Sequence, residues 1–429
     1  MASTYLSFTQ GAATSRRIFT ISVWVKRANL SAQQQIFETW LDNNNRFDVQ
    51  FTASDKILVQ HTLGGSTSIN IETSRLFRDT SAWYHIVVEV DTTQATASDR
   101  VKIYINGSQE TSLSPATYPS QNLDLALGTA SYTNFLGKYS SAGGNYFDGS
   151  MSHFHFTDGY AYDASAFGQY DANGVWTIKT SPSVTYGTNG FFILKDGNSV
   201  TDQSGNGNNF TVAGGTLTNT EDNPSNVFCT LNPLSCNGPL EDGNTTFAGV
   251  SGSTTTAKGT LGVTEGKWYF EAKVSSDYPM IGIGSMNEAI MQNPTGGGYP
   301  GGISNSYGIY GNGAVYANGS NTGNQGFTYT TNDIIGVALD LDSATKTIVW
   351  YKNGSQIATY NLTNTGSDYP FTPFTYNGGE TATANFNFGN GYFGTTAVAS
   401  AGTNASGNGI FEYDVPTGYT ALSTKGLNL

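Results

Sequence analysis

The chain has 429 residues, too many for one hydrophobic core, so two domains of about 200 residues are the natural division. Only 12 % of the residues are charged, against 52 glycines and 13 % aromatics, and the formal net charge is -13. That balance argues against a nucleic-acid groove, which needs clustered Lys and Arg, and no run approaches the roughly 18 apolar residues of a membrane span.

The first nine residues, Met-Ala-Ser-Thr-Tyr-Leu-Ser-Phe-Thr, lack the basic head and apolar core of a secretory signal. Beyond them, aromatic and β-branched runs broken by Gly, Asn, Ser and Thr predict many short strands. No long stretch carries a 3.6-residue apolar period. The expected fold class is all-β. Phe19, Ile21, Val23 and Val25 alternate with Thr20, Ser22, Trp24 and Lys26, as a strand with one buried face requires. Tyr84 to Asp91 alternates in the same way, and Val101–Ile105 runs into Asn106-Gly107, the pair that supplies both positive-φ positions of a type I′ hairpin.

That hairpin belongs to a six-residue signature, Tyr-x-Asn-Gly-Ser-Gln, which occurs at 104–109 and again at 351–356. Each copy closes a strand–loop–strand unit, so the chain reads as two tandem antiparallel β-sandwiches. The boundaries expected are residues 1–220, a linker over 221–245, a second sandwich over 246–392, and an extension over 393–429 packed on that sandwich or on a neighbouring subunit. Cys229 and Cys236 are the two cysteines. Their spacing permits a small disulfide loop, and free thiols are the favoured reading.

Several residue groups invite a chemical reading. Glu89 and Asp91 share a strand face, as a glycosidase's paired carboxylates would, and Glu89-Val-Asp91-Thr-Thr-Gln94 resembles the Glu-x-Asp-x-x-Glu strand of the glucanase family except that Gln94 replaces its third carboxylate. His153 and His155 flank Phe154, and two solvent-facing histidines are expected in preference to metal ligands. Asp202, Ser204 and Asn206 place oxygens at alternate positions, as at the start of a calcium loop, but Ala213 occupies the twelfth position. An Asx-rich turn is expected there, with a structural Ca²⁺ as the alternative; no other cofactor is expected. Phosphate loops, metalloprotease His pairs and nucleophile elbows are not seen, so the chain is not expected to be an enzyme.

The long Gly- and Asn-rich stretch from Met291 to Thr331 holds Tyr299, Tyr307, Tyr310, Tyr316 and Tyr329. Tyrosines among small polar residues make an adaptable contact surface for sugars or proteins. The alternative is that Tyr307-Gly-Ile-Tyr and Ala314-Val-Tyr are strands with some tyrosines in the core.

The order Phe-Thr-Ile-Ser-Val-Trp-Val, Trp-Tyr-His-Ile-Val-Val, Ile-Tyr-Ile-Asn-Gly and Phe-Asp-Gly-Ser-Met resembles the laminin-G-like, concanavalin-A-like jelly-roll family over roughly residues 1–215. One departure stands out. Asp202-Gln-Ser-Gly-Asn-Gly-Asn-Asn looks like a segment that elsewhere precedes the Phe-Thr-Ile strand, which implies a permuted edge or a connecting strand here. Over roughly residues 227–390 the succession is Gly266-Lys-Trp-Tyr-Phe-Glu-Ala-Lys-Val274, Ile281-Gly-Ile-Gly284, Asp333 to Asp340, Trp350 to Gly354, Tyr369-Pro-Phe-Thr-Pro-Phe and Ala384 to Gly389. It resembles a SPRY domain, a bent two-sheet sandwich that implies binding through loops and no catalytic apparatus. The tandem arrangement and the C-terminal run from Phe411 to Leu429 resemble virion structural proteins of tailed phages, particularly marine ones. That resemblance implies a location on the virion surface and a homo-oligomer touching other virion proteins. It also implies a fibre or appendage role contacting host-surface glycan, with capsid decoration and glycan depolymerisation as the alternatives.

Overall fold

The protein is described by a computed structural model covering residues 3–140, 144–195, 199–288 and 298–428. Among these residues the regular structure is strand, apart from three single-turn 3₁₀ segments, and no helix is long and apolar enough to cross a membrane. The chain divides into two compact units, Met1–Asn219 and Thr220–Leu429.

The first unit is an antiparallel sandwich of two sheets. The eight-stranded sheet runs from Leu113–Thr117 through a meander of Ser66–Thr73, Ile57–Leu63, Asn45–Phe51 and Gln34–Asp42. It ends on Thr133–Leu136, Tyr5–Thr9 and Thr211–Ala213. The six-stranded sheet orders Phe191–Ile193, Gly149–Asp158, Ile18–Arg27, Tyr84–Asp91, Val101–Ile105 and Ser108–Gln109. The strand after the Asp202 segment thus lies at the edge of the larger sheet, paired with Tyr5–Thr9.

Period-two alternation puts Phe19, Ile21, Val23 and Val25 into the core against Phe37, Phe47 and Val49, with Phe19 and Phe47 edge-to-face at 5.3 Å. A charged group lies in that interior. Arg27 is 1 % exposed, its guanidinium 4.3 Å over the Phe51 ring and 3.1 Å from Asp55.

The outer face of the six-stranded sheet departs from the one-sided pattern expected. Val87 there packs with Ala164, Phe167, Tyr104 and Trp176, because residues 160–188 fold back across it. The sequence signal was present in Trp24 and Val87, which are too apolar for a solvated face.

The second unit is also a sandwich. Its seven-stranded sheet orders Leu231–Cys236, Thr254–Gly259, Phe371–Gly378, Met280–Ser285, Ser306–Ile309, Ala314–Ala317 and Ser320–Asn324. The other sheet orders Leu240–Glu241, Thr246–Ala248, Thr383–Asn387, Lys267–Val274, Ile334–Asp340, Thr347–Lys352 and Ser355–Asn361; Thr420–Ala421 joins beside Lys267–Val274. Trp268, Phe270, Ala272 and Val274 face the core with Ile281, Ile283 and Trp350. Trp350 links the two sheets by donating its indole N–H to the Ile281 carbonyl at 3.1 Å.

Residues 221–245, expected as a linker, are part of this sandwich. Phe228, Cys229 and Leu231 are buried, and Leu231–Cys236 is an edge strand. The polar composition misled because an edge strand needs few apolar side chains. Neither cysteine is in a disulfide, and burial pushes the Cys236 thiol up to about 11. The C-terminal residues pack on their own unit, with Phe411, Val415 and Ala421 against Phe228, Tyr269 and Ala338. Glu271 pins this segment: it is fully buried and accepts the backbone N–H groups of Glu412 and Tyr413, both at 2.9 Å.

The repeated signature has one structural solution in both units. Asn106 and Asn353 have φ of 48° and 49°, and Gly107 and Gly354 have 83° and 80°, as a type I′ turn requires. Each asparagine side chain also accepts a backbone N–H from the start of the adjacent strand at 2.8 Å, from His85 in one unit and from Ile334 in the other. Each glycine carries an aromatic ring: a Cβ on Gly107 would lie 2.4 Å from Trp176, and one on Gly354 would lie 2.8 Å from Tyr413. Gly107→Ala and Gly354→Ala should each destabilise their unit by about 1–3 kcal/mol, the sum of a left-handed backbone and overpacking. Denaturant unfolding checks this, and no loss at either site would mean that the ring does not rest on the turn.

Candidate functional site

The five candidate tyrosines separate into two groups. Tyr307 and Tyr329 are 0 % and 1 % exposed and belong to the core. Tyr307 shares the inner face of Ser306–Ile309 with Ile309 and packs on Phe371 and Tyr360. Tyr329 donates its hydroxyl to the Pro279 carbonyl at 2.6 Å. Their surroundings of Gly and Asn suggested a loop, whereas the period of two was the truer guide.

Tyr299, Tyr310 and Tyr316 are half-buried and lie on the opposite face of the seven-stranded sheet. Tyr316 pairs with Gly308, Gly308 with Gly282, and Gly282 with Phe374, so two of these four outward positions carry no side chain. The space is filled by the segment before Ser306–Ile309: a Cβ on Gly308 would meet Pro300 at 2.4 Å. This close backbone approach lays Tyr299 against the sheet. Its ring is edge-on to Tyr316 at 5.4 Å and tilted on Tyr376 at 5.5 Å.

Tyr376 was missed in the sequence, although its alternation with Thr375 in Phe371–Gly378 gives its face. Tyr278, 38 % exposed, stands close enough to act electrostatically on Tyr310, as do Asp277, Tyr316 and Tyr376. Burial raises Tyr299, Tyr310 and Tyr376, so their hydroxyls stay protonated at neutral pH. The result is a platform of rings with hydroxyl donors. Residues 291–297, at the start of the expected insert, lie outside the described residues. Lys258, beneath the same face, is 2 % exposed and donates to the Ser285 carbonyl at 2.6 Å; burial lowers it to about 8.

The Asp202 segment is an internal hydrogen-bond network. One carboxylate oxygen accepts from the Phe192 and Ser204 amides, the other from the Ser204 hydroxyl and the Asn208 amide. Asn206 turns its NH₂ toward the Gly187 and Gly190 carbonyls. These oxygens are occupied by chain donors, the arrangement of an Asx turn. Among the described residues no group of three or more His, Cys, Asp or Glu side chains could hold a metal ion.

The histidines differ from expectation. His153 and His155 are 8 % and 2 % exposed, not solvent-facing. A bulge between Ser152 and His155, with His153 at φ 47°, turns them under the covering segment, where His155 stacks on Phe192 at 3.9 Å. His85 lies 2.9 Å from the Ser22 hydroxyl, a spacing that suggests a nucleophile and its base. The other ring nitrogen, Nδ1, accepts from the Trp176 indole N–H at 3.0 Å. Indole is a donor only, so Nδ1 carries no proton and Nε2 must donate to Ser22. That tautomer cannot take a proton from the serine. Glu89 accepts the Tyr104 hydroxyl at 2.8 Å, while Asp91 accepts the Gln94 amide and the Thr93 hydroxyl, both at 2.6 Å.

Residues 1–164 match the family model of the Concanavalin A-like lectin/glucanases superfamily, and residues 267–391 match that of the SPRY domain. The chain therefore carries a laminin-G/concanavalin-A-like domain followed by a SPRY domain, and domains of these two kinds often mediate binding or protein–protein interaction. Similar solved structures include a human SPRY domain, 16 % identical, covering 35 % of this chain and 94 % of that one, at TM-score 0.28. The SPRY domain of human HERC1 is 16 % identical over 36 % and 96 %, at 0.30. A heptameric SAP-like pentraxin from Limulus polyphemus is 18 % identical over 37 % and 71 %, at 0.28. No curated protein matches the chain.

Proposed function

We propose that this is a non-enzymatic binding protein whose second unit engages its partner through Tyr299, Tyr310, Tyr316 and Tyr376. The observation that carries this reading is the packing of Tyr299, Tyr316 and Tyr376 as one half-buried cluster on a sheet face. Such rings are held before the partner arrives, so little torsional freedom is lost on contact. The partner in this proposal is a host-surface glycan, whose sugar rings stack on tyrosine and whose hydroxyls match its phenol groups. The setting proposed is a phage particle, as a fibre or appendage subunit. It rests on the tandem of two binding-type domains and on the likeness of the Phe411–Leu429 run to chain ends of that group.

Replacing Tyr316 and Tyr376 together with alanine should weaken attachment to host cells or extracted envelope glycan at least tenfold. The unfolding midpoint should change little beside that of Tyr307→Ala, which opens the core. Unchanged attachment by a folded double variant would overturn the assignment of this face.

A further inference from the structure

We propose that at neutral pH Glu38 and Asp48 form an acid pair holding a single proton in the folded protein, with Glu38 the protonated member, so that acid stabilises the first unit.

The two carboxyls stand directly opposite each other on Gln34–Asp42 and Asn45–Phe51. They face away from the core, because Phe37, Phe47 and Val49 beside them point into it. Both are 0 % exposed. Opposed residues of an antiparallel pair lie close, about 5 Å between Cβ atoms, and like charges there are unfavourable.

The cations around the pair are unequally placed. Arg46 holds one Asp48 oxygen at 2.8 Å and is otherwise committed to Gln60 and the Asn43 carbonyl; its guanidinium lies 5.6 Å over the Tyr139 ring. The other Asp48 oxygen accepts from the Gln35 amide at 3.3 Å. On the remaining flank the residue opposite Glu38 is Phe135, and Lys138 places its ammonium over Tyr5 at 4.3 Å and Phe135 at 5.5 Å.

Asp48 therefore has a charge partner in contact, while Glu38 accepts the Ser140 amide at Oε2 at 2.7 Å, is helped by the nearby Ser140 hydroxyl, and feels Arg46 only at a distance. Among the described residues its buried Oε1 has no partner, nor has Oε1 of Gln35 on the same face. A buried carboxylate oxygen without a donor, on a residue opposite another carboxylate, is the costly arrangement; a protonated Oε1 removes the repulsion and turns an orphan acceptor into a donor. The titration follows suit: burial and then Asp48 raise Glu38 to about 8, whereas Asp48, raised by burial but opposed by Arg46, reaches about 6.

The sign is fixed by linkage. The unfolded chain loses the Glu38 proton near pH 4.5, and the folded chain keeps it to about pH 8. Across that window the folding constant falls with rising pH, by up to about tenfold per unit for this group, and levels above it.

The test uses the full chain, wild type and Glu38→Gln, in denaturant unfolding from pH 5 to pH 9. Glutamine keeps the shape of the neutral carboxyl, so the variant's advantage should grow by up to about tenfold per pH unit and level near pH 8. An advantage that does not change with pH overturns the proposal. If Glu38→Gln does not fold, Asp48→Asn decides: without its like-charged neighbour Glu38 ionises sooner, and levelling should move to lower pH. An unmoved profile then overturns it.

Discussion

Asp55→Ala should cost the first unit about 3–5 kcal/mol, because it strands a charge in the interior. Arg27 is 1 % exposed, and its charge is met by Asp55 at 3.1 Å, by the Phe77 carbonyl at 2.6 Å and by the Phe51 ring. Burial already lowers the guanidinium, and Asp55, ahead of Tyr84, opposes this. Asp55 also receives Arg78 at 2.9 Å and the Ser31 amide at 2.7 Å, which tie a turn to the sheet. Arg78 is half-exposed, so Arg78→Ala should cost less than about 1 kcal/mol. Pairing Asp55→Ala with Arg27→Met should recover part of the loss, since no buried charge remains. Urea unfolding of the four proteins reads these values. Equal losses in Asp55→Ala and Arg78→Ala would show that the buried guanidinium does not depend on its partner.

The second large effect is expected at Trp350. Truncation to alanine should cost about 3–5 kcal/mol, as for any fully buried large aromatic. It also leaves the Ile281 carbonyl in the opposite sheet without its indole donor. Trp268 and Phe270, 4 % and 2 % exposed on the same core, should show losses of the same kind. Changes under about 1 kcal/mol at all three positions would mean that the inward face of Lys267–Val274 is the other one, with Tyr269 and Glu271 inside.

Much of the fold was legible because period-two patterns and Asn-Gly turns are local signals. Phe19 to Val25, Trp268 to Val274 and both signature hairpins lie as their spacing implies. What remained hidden depended on distant segments. The outer face of Ile18–Arg27 is buried because residues 160–188 return to it; Trp24 and Val87 signal that something covers the face, but no local pattern says which segment does. His153 changes its surroundings through a single-residue bulge, which period counting cannot see. Tyr307 and Tyr316 sit nine residues apart in similar Gly-rich sequence, yet one is core and the other surface. Only strand register separates them. Tyr376 joins the platform from a strand some sixty residues later, so its neighbourhood could not be read from the run around Tyr310 and Tyr316.

The rings resting on Gly107 and Gly354 bear on how this chain emerges from a ribosome. In each half the hairpin is synthesised well before the aromatic that covers it, Trp176 after Gly107 and Tyr413 after Gly354. A nascent chain that ends between Asp158 and Trp176, or between Asn387 and Tyr413, lacks only the short strands Phe191–Ile193 or Thr420–Ala421 of the sheet concerned, and that sheet's back is bare: Trp24, Val87 and Tyr104 in one half, Tyr269 and Ala338 in the other. Such surfaces associate with one another when uncovered. Fragments truncated just before residue 160 or residue 399 should therefore aggregate although every strand of the main sheets before the cut is present, and chaperones would find their binding sites there during synthesis.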